Sequence, residues 1–113
     1  MKYDLEERTA IFAEMIIEFC QKVPKNVITI PLINQLIKAA TSIGANYCEA
    51  NGASSPRDFK NKIFICKKES KETKFWLRLL IKAVPELKEE CLKLQQEAQE
   101  LTLIFSKIAS SSK

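Results

Sequence analysis

Leu5, Thr9, Phe12, Ile16, Phe19 and Val23 recur along the chain at alternating steps of four and three residues, the spacing of one face of an α-helix. Three more stripes follow the same rule. Leu32, Leu36, Ala39, Ile43, Tyr47 and Ala50 form the second, and Phe59, Ile63, Cys66, Ser70, Thr73, Leu77 and Leu80 the third. Leu87, Cys91, Leu94, Ala98, Leu101, Phe105 and Ile108 form the fourth. Punctuation between the stripes sets the expected helices at residues 4–23, 30–51, 56–83 and 86–108, with a frayed tail over 109–113. Asp4 supplies a cap with Glu7 three residues on, and Pro24 ends the first helix. Pro31 fits the first turn of the second, and Gly52 is a natural stop. Ser55 and Pro56 open the third, and Val84-Pro85 separates it from the fourth. The stretch KNVITI reads as an extended connector, since Asn26 and four β-branched residues resist helix. All four stripes keep a mean step near 3.5, and the connectors are short. The pattern predicts an all-α fold, a single antiparallel up-down-up-down four-helix bundle over residues 1–113.

Composition narrows the class. In 113 residues, 46% are hydrophobic, 28% charged and only two are glycine, which fits one compact helical domain and argues against disorder. No apolar run reaches the roughly 20 residues that cross a bilayer. The acidic start MKYDLEERT is unlike a signal peptide, so a cytoplasmic location is expected. Cys20, Cys48, Cys66 and Cys91 form no CxxC pair, and the chain has no histidine, so neither a metal site nor a cofactor is expected. The four cysteines read as small hydrophobes of the core.

Net charge is +4, but residues 56–82 carry nine Lys or Arg against three acids. At about 100° per residue, Lys60, Lys67, Lys71, Lys74, Arg78 and Lys82 fall within about 40° of one line, with Phe64 and Phe75 at its margin. Such a row suits a polyanion: six phosphate contacts would give a salt slope of roughly −5, and the rings can stack on unpaired bases. The bland reading is a solvated helix face. Lysine binds phosphate as a point charge, so sequence specificity is expected to be weak.

Two other features stand out. Ile33, Ile37, Ala40, Gly44 and Cys48 make a second apolar stripe beside the main one on helix 2, and a helical glycine marks a close backbone approach. Packing against helix 3 and a subunit interface both fit. On helix 3, Glu69, Glu72 and Trp76 border the core beside Ile65. The carboxylates either find Thr41, Asn46 and Tyr47 of helix 2 or point to water. Paired glutamates suggest acid–base or di-metal chemistry, but without Glu-x-x-His no enzyme is expected.

DLEERTAIFA, QLIKAATSIGANYCEA and SPRDFKNKIFICKKESKETKFWLRLLIKA together resemble the four-helix-bundle family known from intervening sequences in bacterial large-subunit ribosomal RNA genes. The blocks TSIGAN and ES-x-ET carry most of that resemblance, which spans about residues 3–83; helix 4 matches in pattern only. The family is similar to the accessory protein of diversity-generating retroelements, a basic homopentamer that binds nucleic acid and partners a reverse transcriptase. The resemblance implies a homo-oligomer, five bundles in a ring, with nucleic acid as ligand. It also implies structural or assembly roles for Ser42, Asn46, Glu49, Glu69 and Glu72. Cys48 and Val84-Pro85 depart from the family's pattern, where a small or apolar residue and a glycine are usual. The expected function is therefore non-catalytic RNA or DNA binding through the helix 3 row. The alternative is an adaptor whose basic face docks an acidic partner or a polymerase.

Overall fold

The computed structural model describes residues 4–111, which form four α-helices: α1 (Leu5–Lys22), α2 (Thr29–Asn51), α3 (Pro56–Ala83) and α4 (Lys88–Ser111). At a rise of 1.5 Å per residue the 28 residues of α3 run roughly 42 Å. The molecule measures 44 × 23 × 19 Å, so α3 spans its whole length.

Cross-helix contacts run antiparallel. Asn51 reaches Glu6, at the opposite end of α1 from the connector. On α2 and α3, Glu49 meets Lys62 while Ile43 meets Cys66. On α1 and α4, Arg8 meets Glu97 while Lys22 meets Glu90. The chain goes up, down, up and down, and α3 packs extensively on both α2 and α4.

The four stripes point inward as their spacing requires. Phe12, Ile16, Leu36, Ile43, Ile63, Leu77, Leu80, Leu101 and Phe105 are almost wholly buried. Burying each such side chain stabilises the fold by roughly 1.5–3 kcal/mol. The polar members of the stripes solve their own desolvation. The hydroxyls of Thr9, Ser70, Thr73 and Thr102 donate to the carbonyls of Leu5, Cys66, Glu69 and Ala98, four residues back in each case. Among the described residues no buried side-chain nitrogen or oxygen lacks a partner.

The helix ends follow local chemistry, with three departures from the sequence expectation. Asp4 Oδ1 accepts from the Glu7 amide at 3.4 Å, and Ser55 Oγ from the Asp58 amide at 3.0 Å. KNVITI is not extended. Asn26 Oδ1 accepts from the amides of Ile28 and Thr29, and Thr29 Oγ1 accepts from the Asn26 amide, which winds the connector into a turn leading straight into α2. Gly52 closes α2 at φ −103°, outside the left-handed region. Pro85–Leu87 is a 3₁₀ turn, so α4 starts at Lys88 and not at residue 86. Nor does the tail fray at 109: α4 continues to Ser111 because Ala109 is buried, while residues 112–113 lie outside the described residues.

Three cysteines are core hydrophobes, and burial pushes their thiols up, Cys20 and Cys91 to about 11 and Cys66 to about 12. Cys48 is exposed, contrary to expectation, because the second stripe of α2 runs out of covering surface at its C-terminal end.

Gly44 does mark a close approach, but to α1. A Cβ placed there would lie 2.9 Å from Thr9 Oγ1 and 3.2 Å from Thr9 Cβ. The neighbour within the chain is α1 and not helix 3. Thr9 has little room to yield, since it is buried and its hydroxyl is held 2.6 Å from the Leu5 carbonyl. Gly44→Ala gains about 1 kcal/mol of helix propensity but overpacks this contact by roughly 1–3 kcal/mol. The expected result is a lower denaturant midpoint with unchanged slope, partly restored by adding Thr9→Ala. A stabilised Gly44→Ala protein would show that the helices do not press together there.

Candidate nucleic-acid interface

The six sequence-selected cations all lie on the outward side of α3, because the buried set on that helix runs through Ile63, Cys66, Ser70, Thr73, Leu77 and Leu80. Lys71, Arg78 and Lys82 are exposed, and Lys60, Lys67 and Lys74 are half-buried. Among the described residues none of the six forms an ion pair. The acids engage cations elsewhere instead. Glu97 and Glu100 hold Arg8 at 2.8 and 2.9 Å, Glu90 holds Lys22 at 3.1 Å, and Glu49 holds Lys62 at 2.7 Å. Lys68 approaches Glu69 at 3.9 Å. Neighbouring cations three or four residues apart, from Lys67 through Lys71, Lys74 and Arg78 to Lys82, repel each other by roughly 0.2–0.5 kcal/mol per pair.

Lys74 differs from the other five. Its ammonium donates to Gln99 Oε1 on α4, and its backbone carbonyl accepts from Gln95 Nε2 at 3.0 Å. The sequence row places it with the free cations, but the structure makes it a tie across the α3–α4 seam. The α4 partners escaped sequence reasoning because the rotation of α4 about its own axis decides which of its polar residues meet α3. The glutamine-rich run QQEAQ was the available signal.

Two open hollows accompany the row. Lys71, Lys74, Phe75 and Arg78 of α3, with Leu92, Gln95, Gln96 and Gln99 of α4, surround a groove of about 530 Å³. Phe64, Lys67, Lys68, Lys71 and Glu72 line a second of about 430 Å³. Phe64 and Phe75 are 47% and 51% exposed, so each forgoes much of the stabilisation that burial gives a phenylalanine. The Lys60 ammonium lies 5.9 Å from the centre of the Phe64 ring. Phe75 meets Trp76 edge to face at 5.0 Å between centroids, and Trp76 packs on the core.

The other selected residues sit at the α2–α3 seam or inside the bundle. Ala40 is fully buried in the core. Asn46 Nδ2 donates to the Ser42 carbonyl at 2.8 Å, Ser42 Oγ to Lys38, and Thr41 Oγ1 to Ile37, all within α2. Tyr47 lies 5.9 Å from Phe105. The expected bonds from Glu69 and Glu72 to Thr41, Asn46 and Tyr47 are therefore not made, because each helix-2 group satisfies itself locally or packs apolar. Glu72 points to solvent, while the Glu69 side chain is only 16% exposed. Among the described residues no group of three His, Cys, Asp or Glu is placed to hold a metal ion, and no helix is long and apolar enough to cross a membrane.

These features define a class: an all-α four-helix bundle with an unpaired cationic row on one outer helix. The chain belongs to the 23S rRNA-intervening sequence protein family, whose model matches residues 2–107. It is also similar to a solved structure from Bacteroides thetaiotaomicron, a protein of unknown function from the S23 ribosomal protein family. The two share 29% identity with a TM-score of 0.82, over 93% of this chain and 97% of the other. No curated protein matches the chain.

Burial, then the neighbouring Glu72, pushes the Glu69 carboxyl above its ordinary 4.5, while Lys68 and Lys38 oppose the shift. A carboxyl raised on folding favours the folded state while protonated, and that contribution is lost as pH rises from about 4.5 through the folded value. Glu69→Gln is expected to raise the denaturation midpoint at pH 7, with the gain shrinking as pH falls toward 4.5. Chemical denaturation across that range checks it, and a gain independent of pH would contradict the burial argument.

Proposed function

We propose that this chain is a non-catalytic nucleic-acid-binding protein that holds phosphates along the outer face of α3. The observation that carries the reading is the charge partition. Acids on α2 and α4 pair with cations off the row, and among the described residues the row itself is left without a carboxylate partner. Lys60, Lys67, Lys71, Arg78 and Lys82 supply the contacts, and Lys74 is set apart by its bond to Gln99. The reading assigns no chemistry to Glu69 and Glu72.

Support for RNA as the ligand comes from the intervening-sequence family and from the ribosomal-protein family of the similar structure. The resemblance also supports a homo-oligomer, five copies in a ring. Exposed Ile11, Met15, Ile17 and Ile30 on α1 and α2 offer apolar surface for such contacts. Four cysteines without a disulfide fit a reducing compartment, and the reading places the protein in the cytoplasm. An adaptor for an acidic partner or a reverse transcriptase is the second reading, favoured by the exposed Phe75 and Leu92 among the cations.

Fluorescence anisotropy with a labelled oligonucleotide over a salt series tests the proposal. Five phosphate contacts give a plot of log affinity against log salt with a slope between about −3.5 for a single strand and −4.5 for a duplex. Lys67→Glu with Lys71→Glu abolishes binding while the helical content is retained. A double variant that binds as well as the parent removes the proposal. A protein partner retained in pull-downs after nuclease digestion favours the adaptor.

A further inference from the structure

We infer that the face formed by α3 and α4 is built for unpaired strands, with bases stacked on Phe64 and Phe75 while phosphates follow the cation row; this rests on the nucleic-acid reading above. Three observations converge on it. Each hollow beside the row contains one half-exposed phenylalanine, and the two hollows share Lys71, so both rings sit among the cations in adjoining hollows. Phe64 and Phe75 are separated by about three turns of helix, roughly 16 Å, and lie on one side of the cations. A strand running along the row can therefore present bases to both rings without crossing it.

The row is also straight. From Lys60 to Lys82 it follows one helix for roughly 33 Å. A duplex backbone winds away from such a line, and its bases, stacked inside, cannot reach a phenyl face. An extended single strand can stay in register with the cations and turn its bases onto the rings, a contact open to any base.

The α4 wall adds polar groups suited to base edges. Gln95 and Gln99 each use one end of the amide on Lys74, through Nε2 and Oε1 respectively. The opposite ends, Gln95 Oε1 and Gln99 Nε2, belong to side chains lining the same 530 Å³ groove. One acceptor and one donor give a modest base preference at most. A purely acidic peptide would satisfy the cations but leave both rings exposed, whereas each base can cover a ring while its phosphate stays on the row.

The test compares labelled oligothymidylate of about 16 nucleotides, a duplex of the same length, and polyglutamate, all at one salt concentration. The parent is expected to bind the single strand more tightly than the duplex. Phe64→Ala with Phe75→Ala should weaken single-strand binding by roughly 5- to 150-fold per ring and leave duplex binding unchanged. Phe64→Leu with Phe75→Leu, which keeps apolar contact with Trp76, should show the same selective loss should the alanine variant be poorly folded. Single-strand binding unaltered in the ring variants, or a parent that prefers duplex, overturns this inference while leaving the cation row standing. A parent that binds neither nucleic acid overturns both, and polyglutamate displacing the thymidylate transfers the site to an acidic protein.

Discussion

The rotational setting of α3 is the constraint on which the rest of the molecule depends. This helix lies against both α2 and α4 along its length, with Ile63, Cys66, Ser70, Thr73, Leu77 and Leu80 each fully withdrawn from solvent. A helix with six such residues has one tolerable orientation. Turning it by the width of one residue would expose several of them and press Lys67 or Lys74 into the core, where an unpaired ammonium is strongly disfavoured. Core packing thus aims the cations outward, and no contact on the row itself is needed to do so. Ser70 and Thr73 fit this scheme because their hydroxyls bond within α3 and demand nothing from the neighbouring helices.

Electrostatics follows the same division. Arg8 binds Glu97 through two nitrogens and Glu100 through one, a clamp where α1 and α4 pack least closely. Lys22 with Glu90 pairs at the other end of the same seam, and Lys62 with Glu49 at the α2–α3 seam. The more exposed Lys22–Glu90 pair adds little stability by itself. None of these pairs involves a cation of the α3 row. The row's own repulsion is small against the burial that fixes the helix, so the fold tolerates a surface that a polyanion would relieve.

The stripes, the caps at Asp4 and Ser55, and the break at Val84-Pro85 were legible in the sequence because each rests on residues within a few positions of one another. What escaped was set by neighbours distant in the chain. Gly44 signalled a close approach, but only the packed bundle shows that Thr9 of α1 is the partner. Lys74 matched the other cations on the helical wheel, yet Gln99, twenty-five residues away, takes its ammonium. The turn at Asn26 was missed for a different reason: β-branched content suggested extension, while a single side-chain carboxamide bonding two amides decided the backbone. Membership of the intervening-sequence family agrees with the residues in TSIGAN and ES-x-ET, and it establishes the fold without assigning an activity.

The central claim concerns location, and amide chemical-shift mapping addresses it without any substitution. On titration of an isotope-labelled sample with an oligonucleotide, the account predicts that the largest changes fall on the outward positions of α3 from Lys60 to Lys82 and on the facing turn of α4 around Gln95 and Gln99. Changes centred on α1 and α2, with the α3 row silent, would contradict it.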